Sequence, residues 1–272
     1  MKPAPFDYLR ATSVREAVQA LAAADGDGKI IAGGQSLVPV LALRMARPKV
    51  LVDINRIPGL STIVPIDGAI RVGALVRHAR LVEQTGHPML AEAARWIGHT
   101  AIRSRGTSGG SISHADPAAE LPVVAAALEA TIHIAGPRGT RTSSATEFCT
   151  GPLETTLTED EIVTAVDMPL PQRWGFAEFS RRHGDFGLVT VAAAEVDGHW
   201  RIAIGGVGGV PLRVEEAEQL LDAGAPLDQV AAAAAAATSP SSDIHASADY
   251  RRAMTEEFVR RALVQERERV AA

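Results

Sequence analysis

Lys29-Ile30-Ile31-Ala32-Gly33-Gly34-Gln35-Ser36-Leu37-Val38-Pro39 is the stretch on which the fold of this chain turns. A short apolar run enters a glycine pair, and a segment of helical character leaves it. The pattern predicts a strand over 29–32, a tight turn, and a helix capped by Ser36 that runs through Arg44. Glycine in such a turn lets bare backbone N–H groups face an anion that a Cβ would hold away, and serine adds a hydroxyl donor at little steric cost. Some seventy residues later Thr107-Ser108-Gly109-Gly110-Ser111 repeats the composition. Together the two segments suggest a diphosphate clamped from two sides, although each alone is equally compatible with an ordinary turn.

Before the first segment, Ser13 with Glu16 three residues on marks a helix start, and Ala17, Val18, Leu21 and Ala22 fall on one face of it. After it, residues 50–54 form a second strand, so residues 1–55 make a small α/β unit. Two strands around the Asp67-Gly68 turn follow, then a helical stretch over 80–96 broken at Pro88. Beyond the second glycine segment come an apolar helix to Leu128, a strand over 131–135, a turn at 136–139 and a last strand over 161–166. These fill a second unit, 56–172. Pro169, Pro171 and Gly175 mark its end. In residues 173–272 strands over 176–180, 188–196 and 200–205 suggest an antiparallel meander, followed by helices over 214–223, 227–237 and 250–269. The expected class is therefore α+β.

The 272 residues are 46% hydrophobic and 22% charged, enough for a substantial core, and the net charge of −5 with scattered Lys and Arg gives nucleic acid no basic surface to bind. No run approaches the ~18 apolar residues of a membrane span, and the first residues lack the apolar core of a secretion signal, so a cytoplasmic protein without membrane insertion is expected. A single cysteine, Cys149, excludes an intramolecular disulfide and an iron–sulfur cluster held by four thiolates of this chain. His78, His87, His99, His114, His133, His183, His199 and His245 show no metal-ligand spacing. Gly205-Gly206-Val207-Gly208-Gly209 opens no helix and is no dinucleotide fingerprint, and a Gly-x-Ser-x-Gly nucleophile elbow is absent.

The first glycine segment continues into Asp53-Ile54-Asn55-Arg56, and the second into Asp116-Pro117-Ala118-Ala119-Glu120-Leu121-Pro122; Val72-Gly73-Ala74, Arg181-Arg182-His183-Gly184-Asp185-Phe186 and Ser247-Ala248-Asp249-Tyr250-Arg251-Arg252 complete the series. This arrangement resembles, over nearly the whole chain, the FAD-binding medium subunits of molybdenum hydroxylases, the group of bacterial carbon monoxide dehydrogenase, nicotine and related N-heterocycle dehydrogenases, and the flavin portion of xanthine dehydrogenase. The resemblance implies a two-lobed FAD-binding domain and a small C-terminal domain of antiparallel sheet plus helices. It implies non-covalent FAD on this chain, since Gln35 stands where some relatives have His, with the molybdenum cofactor on a large partner and 2Fe–2S clusters on a small one. Electrons would leave for an external acceptor such as oxygen, NAD⁺, a quinone or a cytochrome.

Carried over residue by residue, the resemblance implies cofactor contacts at Ala32, Gly33, Gly34, Gln35, Ser36 and Leu37, at Thr107, Ser108, Gly109, Gly110 and Ser111, and at Ile162. Asp116 and Glu120 would accept from sugar hydroxyls, or else serve only as helix-start carboxylates. Phe186 stands where many relatives have Tyr beside the flavin ring; an ordinary core Phe is the alternative. Ser108 departs from the Ile, Val or Leu usual there and is expected to loosen packing under its segment. No residue of this chain is expected to act as a catalytic acid, base or nucleophile. Two other readings remain open: a self-contained FAD-dependent oxidoreductase of the same fold, and a flavin-less assembly protein.

Overall fold

The computed structural model describes residues 2–271. At its start β1 (Asp7–Arg10), α1 (Val14–Ala23), β2 (Gly28–Ile31), α2 (Leu37–Ala42) and β3 (Val50–Asp53) form a three-stranded parallel sheet of order β1-β3-β2. The hydroxyl of Ser13 accepts from the Glu16 N–H, and the Glu16 carboxylate accepts in return from the Thr12 N–H at 2.7 Å, so α1 begins where the sequence places it. Its buried face, Ala17, Val18 and Leu21, joins Val52 and Ile54 in a small core. α2 is shorter than expected. It stops at Ala42, Arg44 takes a φ of +59°, and Ser36 makes no side-chain cap bond. The amides just ahead of α2 are thereby left open, while the Val38 N–H bonds the Gly34 carbonyl at 2.9 Å.

The next unit is an antiparallel sheet of order β4-β5-β10-β6-β7 with helices packed on it. Its elements are β4 (Ile63–Ile66), β5 (Ala69–Gly73), α3 (His78–Gln84), α4 (Pro88–Trp96), α5 (Thr100–Arg103), α6 (Ser108–His114), α7 (Glu120–Ala127), β6 (Thr131–Gly136), β7 (Gly139–Ser144), α8 (Ala145–Phe148), β8 (Cys149–Gly151), β9 (Glu154–Thr155) and β10 (Ile162–Pro169). Pro88 breaks the helical stretch because it opens α4, where its missing N–H costs no hydrogen bond. α7 is buried along its whole length. The second glycine segment corrects the expectation of a turn: Thr107 accepts from the Gly110 N–H, and Ser108-Gly109-Gly110-Ser111 become the first turn of α6.

The last unit is the expected meander with a short fourth strand: β11 (Arg173–Phe179), β12 (Val189–Val196), β13 (His199–Gly205) and β14 (Leu212–Arg213), followed by α9 (Glu215–Asp222), α10 (Leu227–Ala236) and α11 (Ala248–Ala271). Alternate residues of a strand face opposite ways, and β12 divides accordingly between two cores. Val189, Val191 and Ala193 pack with Val230 and Val259 of the C-terminal helices, whereas Ala192 and Ala194 join Phe176 in the core that holds α7. One face of this sheet is thus glued to the preceding unit.

Candidate functional site

A cleft of about 940 Å³ opens where the three units meet, and it is lined by the two glycine segments, the α5–α6 region, the 150–161 segment and the tip at 184–186. Ala32, Gly33, Gly34, Gln35, Ser36, Leu37, Thr107, Gly109, Gly110, Ser111, Asp116, Glu120, Ile162 and Phe186 all line it. Of the residues named from the sequence, Ser108 alone stands behind the wall.

The first glycine segment packs against Arg105-Gly106, the residues that lead into the second. Gly33 is buried, and a Cβ on it would overlap the carbonyl oxygen of Arg105 and stand 3.0 Å from the Gly106 Cα. The next residue, Gly34, has a φ of +74°, which turns the chain so that successive amides point the same way. Among the described residues the N–H groups of Gly33, Gly34, Gln35 and Ser36 have no acceptor. Unpaired backbone donors in a row are rare away from water and constitute a ready anion site. Side chains hold the turn from behind: Asn55 Nδ2 donates to the Ala32 carbonyl at 2.8 Å, Asn55 Oδ1 accepts from Arg77 Nη2 at 2.7 Å, and Arg77 Nη1 donates to the Arg105 carbonyl. One guanidinium therefore ties the first segment to the residues that lead into the second.

At the second segment the amides are already used. The Ser108 N–H donates to Val76 O and the Gly109 N–H to Ala74 O, each at 2.9 Å, the Gly110 N–H bonds Thr107 Oγ1, and the Ser111 N–H bonds Thr107 O. What this side offers the cleft is close approach of bare backbone together with the hydroxyl of Ser111. Gly109 is required by packing, since a Cβ would overlap that of Ala74. Ser108 does not loosen this contact: it is 1% exposed, and its hydroxyl donates to the Gly73 carbonyl at 2.8 Å.

Ala115, at a φ of +48°, ends α6 and swings the chain into Asp116. Asp116 Oδ1 accepts from the Ala118 N–H at 2.9 Å, a local turn that leaves its second oxygen available. Glu120 opens α7 at 6% exposure, and burial, reinforced by the charge of Asp116, pushes its carboxyl up to about 7. Phe186 is 71% exposed at the rim, which excludes the core alternative. It is set there by Gly184, whose φ is +89° and whose Cα lies so close to the His99 ring that a Cβ would stand 2.8 Å from Nε2.

His99, His78 and the wall from Thr150 to Glu161 are cleft residues that the sequence pattern does not reveal. The wall includes Glu161, held by Arg141 at 2.7 Å and thereby lowered to about 2. Carboxylates outnumber cations around the cleft, where Lys29 is the one lysine or arginine among the described lining residues, so backbone N–H groups are the main donors to an anion at the glycine segments, while the carboxylates suit hydroxyl donors. Among the described residues no three His, Cys, Asp or Glu stand together as a metal site, and no helix is long and apolar enough to cross a membrane.

Residues 4–171 match the family described as FAD binding domain in molybdopterin dehydrogenase, and residues 174–265 match the CO dehydrogenase flavoprotein C-terminal domain. The chain is 42% identical to the nicotine 6-hydroxylase medium subunit of Paenarthrobacter nicotinovorans, with 97% of this chain and 98% of the relative covered. It is 44% identical to the 6-hydroxypseudooxynicotine dehydrogenase complex subunit alpha of the same organism, with 97% and 95% covered. A solved structure of carbon monoxide dehydrogenase from Hydrogenophaga pseudoflava superposes with a TM-score of 0.94 at 36% identity, over 99% of both chains.

Proposed function

Because the chain belongs to the FAD-binding medium subunits of the molybdopterin dehydrogenases, we propose that its cleft holds FAD non-covalently and that it serves as the electron-transferring subunit of a heteromeric oxidoreductase. The observation that carries this is the row of acceptor-less amides at Gly33–Ser36, packed against Arg105-Gly106 just ahead of the second glycine segment, at one side of a cleft with room for a dinucleotide. The diphosphate would take those amides and the Ser111 hydroxyl. Asp116 and Glu120 would accept from sugar hydroxyls, Ala32, Leu37 and Ile162 would supply apolar contact, and Phe186 would lie against the ring. FAD held by these residues would supply two-electron redox chemistry between the 2Fe–2S clusters of a small partner and an external acceptor, in a complex whose large partner would carry the molybdenum centre.

This chain's own part is to bind, orient and shield. Gly33, Asn55 and Arg77 keep the anion cradle rigid, and the exposed Phe186 covers the mouth. On this basis residues 1–55 and 56–172 are the two lobes of the FAD-binding domain and residues 173–272 the C-terminal domain. The lone Cys149 suits a cytoplasmic setting. The test is expression of the chain alone and together with candidate partners. A yellow chain, inactive alone and active in the reconstituted complex, supports the proposal. A yellow chain active alone makes it a self-contained oxidoreductase, and a chain that stays colourless with excess FAD overturns the cofactor assignment.

A further inference from the structure

Glu178 is a buried acid for which cofactor binding leaves no task. It sits on β11 opposite Thr190 of β12 and is 4% exposed; Oε2 accepts from Thr190 Oγ1 at 3.1 Å, and Oε1 is buried without a partner. Residues two apart on a strand share a face, so Glu178 lies on the side of Phe176, the side that shares a core with α7. The first residue of α7 is Glu120, which lines the cleft. Two buried carboxyls, one on the C-terminal sheet and one on the cleft wall, thus lie on the same side of the junction of two units, and the charge of Glu120 is felt at Glu178.

Both are held in the acid form beyond the ordinary carboxylate range. Burial raises Glu120 to about 7 with help from Asp116, and burial, then the charge of Glu120, raises Glu178 to about 9. The charged groups on the elements packed against β11 are engaged elsewhere. Arg251 of α11 donates to the Leu188 and Gly206 carbonyls and pairs with Asp243; Arg173 pairs with Glu266 and Glu195; Arg95 of α4 pairs with Glu92. Arg181, Arg182, His183 and Asp185 lie on the exposed loop beyond β11. Among the described residues no cation pairs with either acid.

We propose that Glu178 is a positioning residue for the cleft, acting through Glu120 to couple the negative charge of a bound dinucleotide to the uptake of a proton by the two carboxyls. The proposal rests on FAD occupying the cleft. An anion entering beside Glu120 makes ionising that acid costlier and, more weakly, that of Glu178 behind it, so both carboxyls hold their protons to higher pH. The proton comes from solvent, no covalent bond changes, and dissociation of the anion returns the proton.

The experiment is an FAD titration of the full chain, followed by quenching of flavin fluorescence, at constant ionic strength from pH 6 to 9, for wild type, Glu178→Gln and Glu120→Gln. Wild-type affinity should weaken about tenfold across this range, the consequence of the anion moving the carboxyl titration by about one pH unit. Glu178→Gln should keep the part of the loss near pH 7 and lose the part near pH 9, whereas Glu120→Gln should be nearly flat. A wild-type profile that is flat, or three profiles of the same shape, overturns the coupling while leaving the cofactor assignment standing. Failure of wild type to bind FAD at any pH overturns both.

A second measurement needs no variant. Acids raised on folding stabilise the native state below their ordinary value near 4.5 and cost stability as pH climbs toward 9. Saturating FAD should shift that alkaline loss to higher pH in thermal unfolding, and an unshifted curve contradicts the proposal.

Discussion

Replacing Gly33 by alanine probes the contact on which the cleft is built. The added Cβ would overlap the Arg105 carbonyl oxygen, and both the Arg105 carbonyl carbon and the Gly106 Cα would stand 3.0 Å from it. All three neighbours are backbone, so no rotamer change relieves the clash and the first segment must move away from Arg105-Gly106. Overpacking of this kind costs about 1–3 kcal/mol. Borne by the geometry that binds the diphosphate, this is a loss of roughly 5- to 150-fold in FAD affinity, at about 1.4 kcal/mol per tenfold. Fluorescence titration of the stripped protein measures it directly. Gly59→Ala is the control: its φ is +83° but nothing lies within 4 Å of the added carbon, so it should lower thermal stability through backbone strain alone and leave affinity unchanged. A Gly33→Ala protein that binds FAD within twofold of wild type would refute the reasoning that this contact forms the cradle.

Ser108→Ala should cost about 1 kcal/mol of stability in denaturant unfolding, from loss of the bond to the Gly73 carbonyl, with little change in FAD affinity because the hydroxyl faces away from the cleft. Phe186→Ala should leave unfolding within about 0.5 kcal/mol of wild type, as expected for an exposed site, yet weaken FAD binding and alter the flavin absorption bands. Arg77→Met should lower FAD affinity, because one guanidinium bridges Asn55 and the Arg105 carbonyl, and Arg77→Lys should not restore it, since an ammonium lacks the fork needed to span both. For acid stability the sign is set by Glu161: Arg141 lowers it to about 2, so the pair contributes above the ordinary value of 4.5 and its contribution is lost as pH falls from there toward 2. Arg141→Met should therefore raise the pH at which acid unfolding begins, measured by circular dichroism.

Much of this architecture is written locally. The strand into Gly33, the reciprocal cap of Ser13 and Glu16, Pro88 at a helix start and the apolar alternation of β11 to β13 each follow from neighbours a few residues apart. The second glycine segment misleads, because two glycines each cost about 1 kcal/mol in a helix and argue for a turn. A helix forms there because Thr107 caps it and because Ala74 leaves no room for a side chain at Gly109. The wall at 150–161 is equally hidden, its small β8–β9 ribbon being too short to show a period. So is the Asn55–Arg77 clasp, whose partners are carbonyls at distant positions that any sequence would supply. Glu178 lies on the α7 side of its sheet only because the sheet shares its two faces between two cores.

Hydrogen–deuterium exchange at the amides of Gly33, Gly34, Gln35 and Ser36, with and without FAD, tests the central claim most directly. Among the described residues these four donors lack an acceptor, so they should exchange fast in the stripped chain and become strongly protected once the dinucleotide binds, while the amides of Ser108–Ser111, already bonded within the protein, change far less. FAD that binds without slowing exchange at residues 33–36 would contradict the account.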